Sequence, residues 1–216
     1  MSPVLPLANR TEAGELLAAR LAPHRRALVL AVPRGGVEVG APIARALDGE
    51  LDLLLTRKVS APGDPELAVG AVAPDGTVTL NQALLKRLHP SPGALEAAVD
   101  AARRELDRRL KAYRKDRPLP AIAGRTVIVV DDGIATGFTL RAGLTWLKTL
   151  GPARLVLAVP VAPPEVWAEL APVADEAVCL ATPEPFFAVG QFYLDFSPTG
   201  DDRVIQLLQE NWQGQA

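Results

Sequence analysis

The stretch Thr126 to Leu140, reading T-V-I-V-V-D-D-G-I-A-T-G-F-T-L, limits what this chain can fold into more than any other. A run rich in β-branched residues meets two adjacent acids, then a short loop with two glycines and two threonines, then a segment with helical spacing. This pattern predicts a buried parallel strand that delivers a loop onto a helix N-terminus. Unpaired backbone N–H groups and the positive end of the helix dipole make such a loop attractive to a phosphate. Gly133 and Gly137 can take backbone angles closed to other residues, and Thr136 and Thr139 add hydroxyl donors. No Gly-Lys-Ser or Gly-Lys-Thr follows the strand, so the loop is not of the Walker A type.

The acids need their own explanation, because Asp131 and Asp132 would repel an anion unless they face something else. A sugar with a phosphate on one side and vicinal hydroxyls on the other meets both demands. Two acids, two variable residues, a small residue, Thr-Gly, any residue and Thr: this order resembles the signature of the type I phosphoribosyltransferases. The resemblance implies that Asp131 and Asp132 hold the 2′- and 3′-hydroxyls of 5-phosphoribosyl-1-pyrophosphate (PRPP). Gly133, Ile134, Ala135, Thr136, Gly137 and Thr139 would then wrap its 5′-phosphate.

Composition sets looser bounds. The 216 residues suffice for one full core, and 49% hydrophobic with 22% charged residues describes a globular chain. A net charge of −2 builds no basic field for nucleic acid. No apolar run reaches membrane-spanning length, and no secretory leader pattern opens the sequence. The lone Cys179 cannot form an internal disulfide, so the expected compartment is a reducing cytoplasm, and the residue is expected to be buried and inert.

Elsewhere, Asn9 and Glu12 mark a helix start, with Leu16, Leu17 and Leu21 on its apolar side. Ala27 to Val32 reads as a first buried strand, followed by Arg34-Gly35-Gly36 and a helix to Leu47. That turn is a second plausible anion loop. Leu51 to Thr56 reads as a strand ending in Arg57-Lys58, two cations placed where ligands of open α/β sheets bind. Residues 60–76 are expected to form a long, exposed and mobile loop, with a strand possible over Glu66 to Val72 and a hairpin turn at Asp75-Gly76. After a short helix from Asn81 to Leu88, the spacing of Leu95, Val99, Ala102, Leu106, Leu110 and Tyr113 predicts an amphipathic helix of roughly two dozen residues, a packing or dimer element. Pairs such as Asp100 with Arg104 and Glu105 with Arg109 support it at i,i+4 spacing. Further strands are read at Arg154 to Val161 and Ala177 to Ala181, and a helix from Asp201 to Trp212. The histidines, His24 and His89, are too isolated for a metal site.

The resemblance fills in the rest as expectations. The fold would be α/β, a three-layer α/β/α sandwich around a mostly parallel six-stranded sheet with one antiparallel strand, plus a small hood. The chain would be one domain with its core over about 25–182, a hood from 183–200 and the N-terminal segment, and a helical insertion over about 81–118. Arg34, Gly35, Gly36, Arg57 and Lys58 would meet the pyrophosphate, with Arg57, Lys58 and Glu66 joining the two aspartates in catalysis. The aromatic-rich segment 185–196 resembles the hood of the 6-oxopurine enzymes, which implies that Phe187 and Val189 contact the acceptor. Asp195 would join Asp131 and Asp132 near Mg2+. The implied activity is phosphoribosyl transfer from PRPP to a nitrogenous acceptor, a nucleobase, by a homodimer. The alternatives are a regulator that binds PRPP or a nucleotide without turnover, and a hydrolase or phosphorylase acting on a ribosyl phosphate. Position 135 is alanine where 6-oxopurine enzymes usually carry an aspartate, and Val159-Pro160-Val161 lacks their purine-recognising lysine, which weakens a hypoxanthine or guanine assignment.

Overall fold

A computed structural model of the chain describes residues 5–115 and 117–214. The backbone divides into two compact units, Met1–Leu54 with Pro120–Ala216, and Leu55–Leu119.

In the first unit, α1 (Arg10–Arg20), β1 (Leu28–Ala31), α2 (Gly35–Leu47) and β2 (Glu50–Leu53) come before the second unit in the chain. In the second, β3 (Arg57–Ala61), β4 (Asp64–Val72) and β5 (Val78–Leu80) precede α3 (Gln82–Leu88) and α4 (Pro92–Arg114). The chain then returns to the first unit with β6 (Thr126–Val130), α5 (Phe138–Thr149), β7 (Arg154–Val161), α6 (Pro164–Leu170), β8 (Glu176–Ala181) and α7 (Asp201–Gln213).

The main sheet has the order β2-β1-β6-β7-β8, and every neighbouring pair is parallel. Its central strands are apolar on both faces, with Val29, Ile128 and Val156 fully buried, as a sheet covered on both sides requires. α2 packs on β1, β2 and β6, and α5 packs on β7. The direction of winding reverses between β1 and β6, so the loops after these two strands leave the same edge side by side. The fold is α/β as expected, but the antiparallel pairing lies in a separate three-stranded sheet, and the main sheet has five strands, not six.

That second sheet, β3-β4-β5, changes two expectations about the middle of the chain. Arg57 and Lys58 do not end the strand before them. β2 stops at Leu53, and the two cations open β3, pairing with Val72 and Ala71 of β4. Residues 60–76 are mostly strand, because β3 and β4 turn about Gly63 (φ 86°) and β4 and β5 about Gly76 (φ 83°). Their composition suggests a loop, whereas the ladders on both sides of β4, with Val69 and Val72 fully buried, make strands. α4 buries Val99, Ala102, Leu106 and Tyr113, and among the described residues its ion pairs include Asp100 with Arg103 and Glu105 with Arg108, both at i,i+3.

At the far edge of the first unit, residues 7 and 8 pair with the segment after β8. Leu7 donates to the Phe192 carbonyl, while Leu194 and Asp195 donate to those of Leu7 and Ala8. The cap of α1 is tied in here too, since Asn9 accepts from the Glu12 N–H and the Glu12 carboxylate accepts from Ala8.

Candidate active site

Two loops converge where the sheet reverses its winding. Residues 33–36 follow β1 and residues 131–137 follow β6, and the pairing of Ala31 with Val130 holds their origins in register. Val32 extends the contact by donating to the Val130 carbonyl at 2.8 Å. The loops then touch so closely that a side chain at Gly36 would lie 3.0 Å from the Asp131 Cα. One at Gly35 would lie 1.9 Å from Asp132 Oδ2. The peptide between Pro33 and Arg34 is cis. Arg34 reaches outward to within 3.8 Å of Asp201.

The 131–137 loop has an anchored side and an open side. Ile134 belongs to the anchored side, since its N–H donates to the Val161 carbonyl and its side chain is buried, so it offers no amide to a ligand. Gly133 packs so tightly that a Cβ there would meet Val189 at 2.4 Å and Val161 at 3.1 Å. Gly137 takes φ 72°, and a Cβ on it would strike Leu170 at 2.4 Å. Ala135, Thr136 and Thr139 are open to solvent. Among the described residues the N–H groups of residues 135–137 have no acceptor, and the first-turn amides of α5 lack partners as those of every helix start do. This cluster of donors at a helix start can bind an anion.

The two acids differ in their surroundings. Burial first, and then the neighbouring Asp132 carboxylate, hold Asp131 well above the usual carboxylate range. Its Oδ1 accepts the Asp132 N–H at 2.8 Å. Asp132 instead meets Arg10, whose Nε donates to Oδ2 at 2.7 Å. The same guanidinium donates through Nη1 to the Ser197 carbonyl and lies 3.9 Å above the Phe196 ring. Tyr193 closes the group by donating its hydroxyl to the Asp132 carbonyl at 2.6 Å. Burial and the Asp132 charge push the Tyr193 phenol far up, so it stays a neutral donor. Nothing in the 122-residue separation of Arg10 and Asp132 announced this contact. One signal was present, because Arg10, Ala13 and Leu17 fall on one buried helix face, where an arginine needs a partner.

The other candidates have surroundings of their own. Phe187 is 85% exposed, while Val189 lies against Gly133. The Asp195 carboxylate is held below the usual range by the Ser197 hydroxyl and N–H, at 2.6 and 3.0 Å. Arg57, Lys58 and Glu66 belong to the second unit, where Lys58 lies 3.6 Å from Glu66 across the β3–β4 hairpin. Among the described residues no three His, Cys, Asp or Glu side chains form a metal cage. Cys179 is only half-buried, yet burial pushes its thiol up to about 11. Among the described residues no helix is long and apolar enough to cross a membrane.

The model of the phosphoribosyl transferase domain matches residues 9–196. The chain belongs to that family. The match takes in α1, with Arg10, as well as the aspartate pair and the segment through Phe196. Two Mycobacterium tuberculosis proteins, provisionally described as phosphoribosyl transferases, are each 43% identical over 202 residues, 93% of this chain and 46% of theirs. The chain thus spans about half the length of the curated relatives it matches. The crystal structure of the Thermus thermophilus protein TT1426 superposes with a TM-score of 0.85 at 44% identity, covering 96% of this chain and 99% of that one. A Neisseria gonorrhoeae protein crystallised with ppGpp is 13% identical with a TM-score of 0.54 over 97% of this chain and 98% of that one, a likeness of fold alone.

Proposed function

We propose that this phosphoribosyl transferase family member moves the 5-phosphoribosyl group of PRPP onto a nitrogenous acceptor, a nucleobase, and releases pyrophosphate. The observation that carries this reading is the side-by-side placement of an aspartate pair and a set of unpartnered amides at the start of α5. One end of this cradle suits a phosphate, and the other suits hydroxyls that donate hydrogen bonds. Asp131 and Asp132 grip the ribose and favour the positive charge that develops on it as the pyrophosphate leaves. Residues 135–137 and Thr139 hold the 5′-phosphate. Gly35 and Gly36 let the backbone approach, and Arg34 offers a cation to the departing pyrophosphate. Glu66 holds Lys58, and Phe187 and Val189 offer apolar surface to the acceptor.

The acidic pair also fits Mg2+, a cation that binds through one or two carboxylates together with substrate phosphates. Asp131 and Asp132 would hold it jointly with the donor's own oxygens. Asp195 contributes less directly, because Ser197 already occupies one of its oxygens. When bound, the ion neutralises charge on the leaving pyrophosphate. Asp131→Asn combined with Asp132→Asn is expected to abolish PRPP binding measured by calorimetry while the protein stays folded by circular dichroism. Unchanged affinity in that variant sinks the proposal. Pyrophosphate release over a panel of bases identifies the acceptor, and its absence with every base, alongside intact PRPP binding, favours a regulator.

A further inference from the structure

We propose that Arg10 is a positioning residue for the sugar, fixing the Asp132 carboxylate in the orientation that meets the ribose hydroxyls. This inference rests on the sugar-phosphate reading of the cradle. Arg10 is only 6% exposed, and its guanidinium is constrained on three sides. It meets the Asp132 carboxylate through Nε, the Ser197 carbonyl through Nη1 and the Phe196 ring through its face. A planar group held in this way has one orientation, and it fixes that of Oδ2.

Arg10 holds Asp132 through Oδ2, and the Asp131 carboxyl is the other side chain that meets the same carboxylate. The backbone is fixed by the same segment, since Tyr193 holds the Asp132 carbonyl. Gly35 completes the arrangement, because a Cβ there would come within 2.7 Å of Arg10 Nε. Arg10 therefore links α1, the 193–197 segment and the acid of the cradle, and its action on a sugar passes through Asp132.

The test compares ribose 5-phosphate with 2-deoxyribose 5-phosphate, binding to the full chain by calorimetry, for the wild type, Arg10→Gln and Arg10→Lys, with thermal melts alongside. The two probes share the phosphate and differ by one hydroxyl. Wild type is expected to prefer the ribose form by roughly tenfold, the worth of one charge-assisted hydrogen bond. Arg10→Gln is expected to lose that preference while keeping its affinity for the deoxy sugar, and Arg10→Lys to retain part of it. A preference that survives in Arg10→Gln overturns the inference. So does a parallel loss for both sugars, or loss of the melting transition in both variants, since these assign Arg10 to structure alone. Failure of the sugar-phosphate reading itself is distinguishable, because it shows in the wild type as no binding of either sugar or no discrimination between them.

Discussion

Asp131 illustrates how a site works against the stability of its own fold. Its carboxyl titrates higher in the folded chain than in the unfolded one, chiefly through burial. The native state therefore holds this proton more tightly, and a penalty on folding builds from about pH 4 up to the raised pKa and persists above it. Asp131→Asn removes that penalty while its amide oxygen can still accept the Asp132 N–H. In ligand-free protein this variant is expected to melt above wild type near pH 8, with the gap closing toward about pH 4. A gap that does not change with pH would show that the carboxylate charge is not the cause. Gly137 works in the opposite sense. Alanine there meets both the positive φ and the Leu170 side chain, and is expected to cost about 1–3 kcal/mol in denaturant unfolding.

Among the elements, β6 with its loop and α5 were legible because each has a local cause. β-Branched residues make the strand, Gly137 supplies the left-handed turn and Leu140, Leu144 and Leu147 set the buried helix face. β2 shows what was not legible. It is an edge strand, and α7 covers its outer side with side chains acting in place of a neighbouring strand. Asn211 accepts from the Leu51 N–H at 2.8 Å and donates to the Gly49 carbonyl at 3.1 Å, and Trp212 donates to the Leu51 carbonyl at 2.8 Å. This clasp blunts an edge that could otherwise pair with another chain. Asn211→Ala is expected to destabilise the first unit by about 1–3 kcal/mol, because it takes the acceptor from a part-buried amide. An unchanged melting temperature, and no rise in aggregation on light scattering, would show the clasp to be incidental.

At the scale of the whole molecule, the two units differ in how much backbone they bury. β1 is buried at every position and β7 at all but its first, whereas β5 has no buried residue and β4 is mostly exposed or half-buried. Hydrogen exchange is expected to be slowest in β1, β6 and β7 and much faster in β3 to β5. Equal protection in both would mean that they open as one cooperative body. The sequence by itself determined the strand–loop–helix around Asp131 and Asp132, the α/β class and the family resemblance, because each rests on neighbours within a few turns of chain. Only the tertiary structure decided that Arg57 and Lys58 open a strand of a separate sheet, that Ile134 turns its amide to Val161, and that Arg10 meets Asp132. Those outcomes depend on which distant groups burial forces to find a partner, and residue type and spacing along one chain carry no record of that choice.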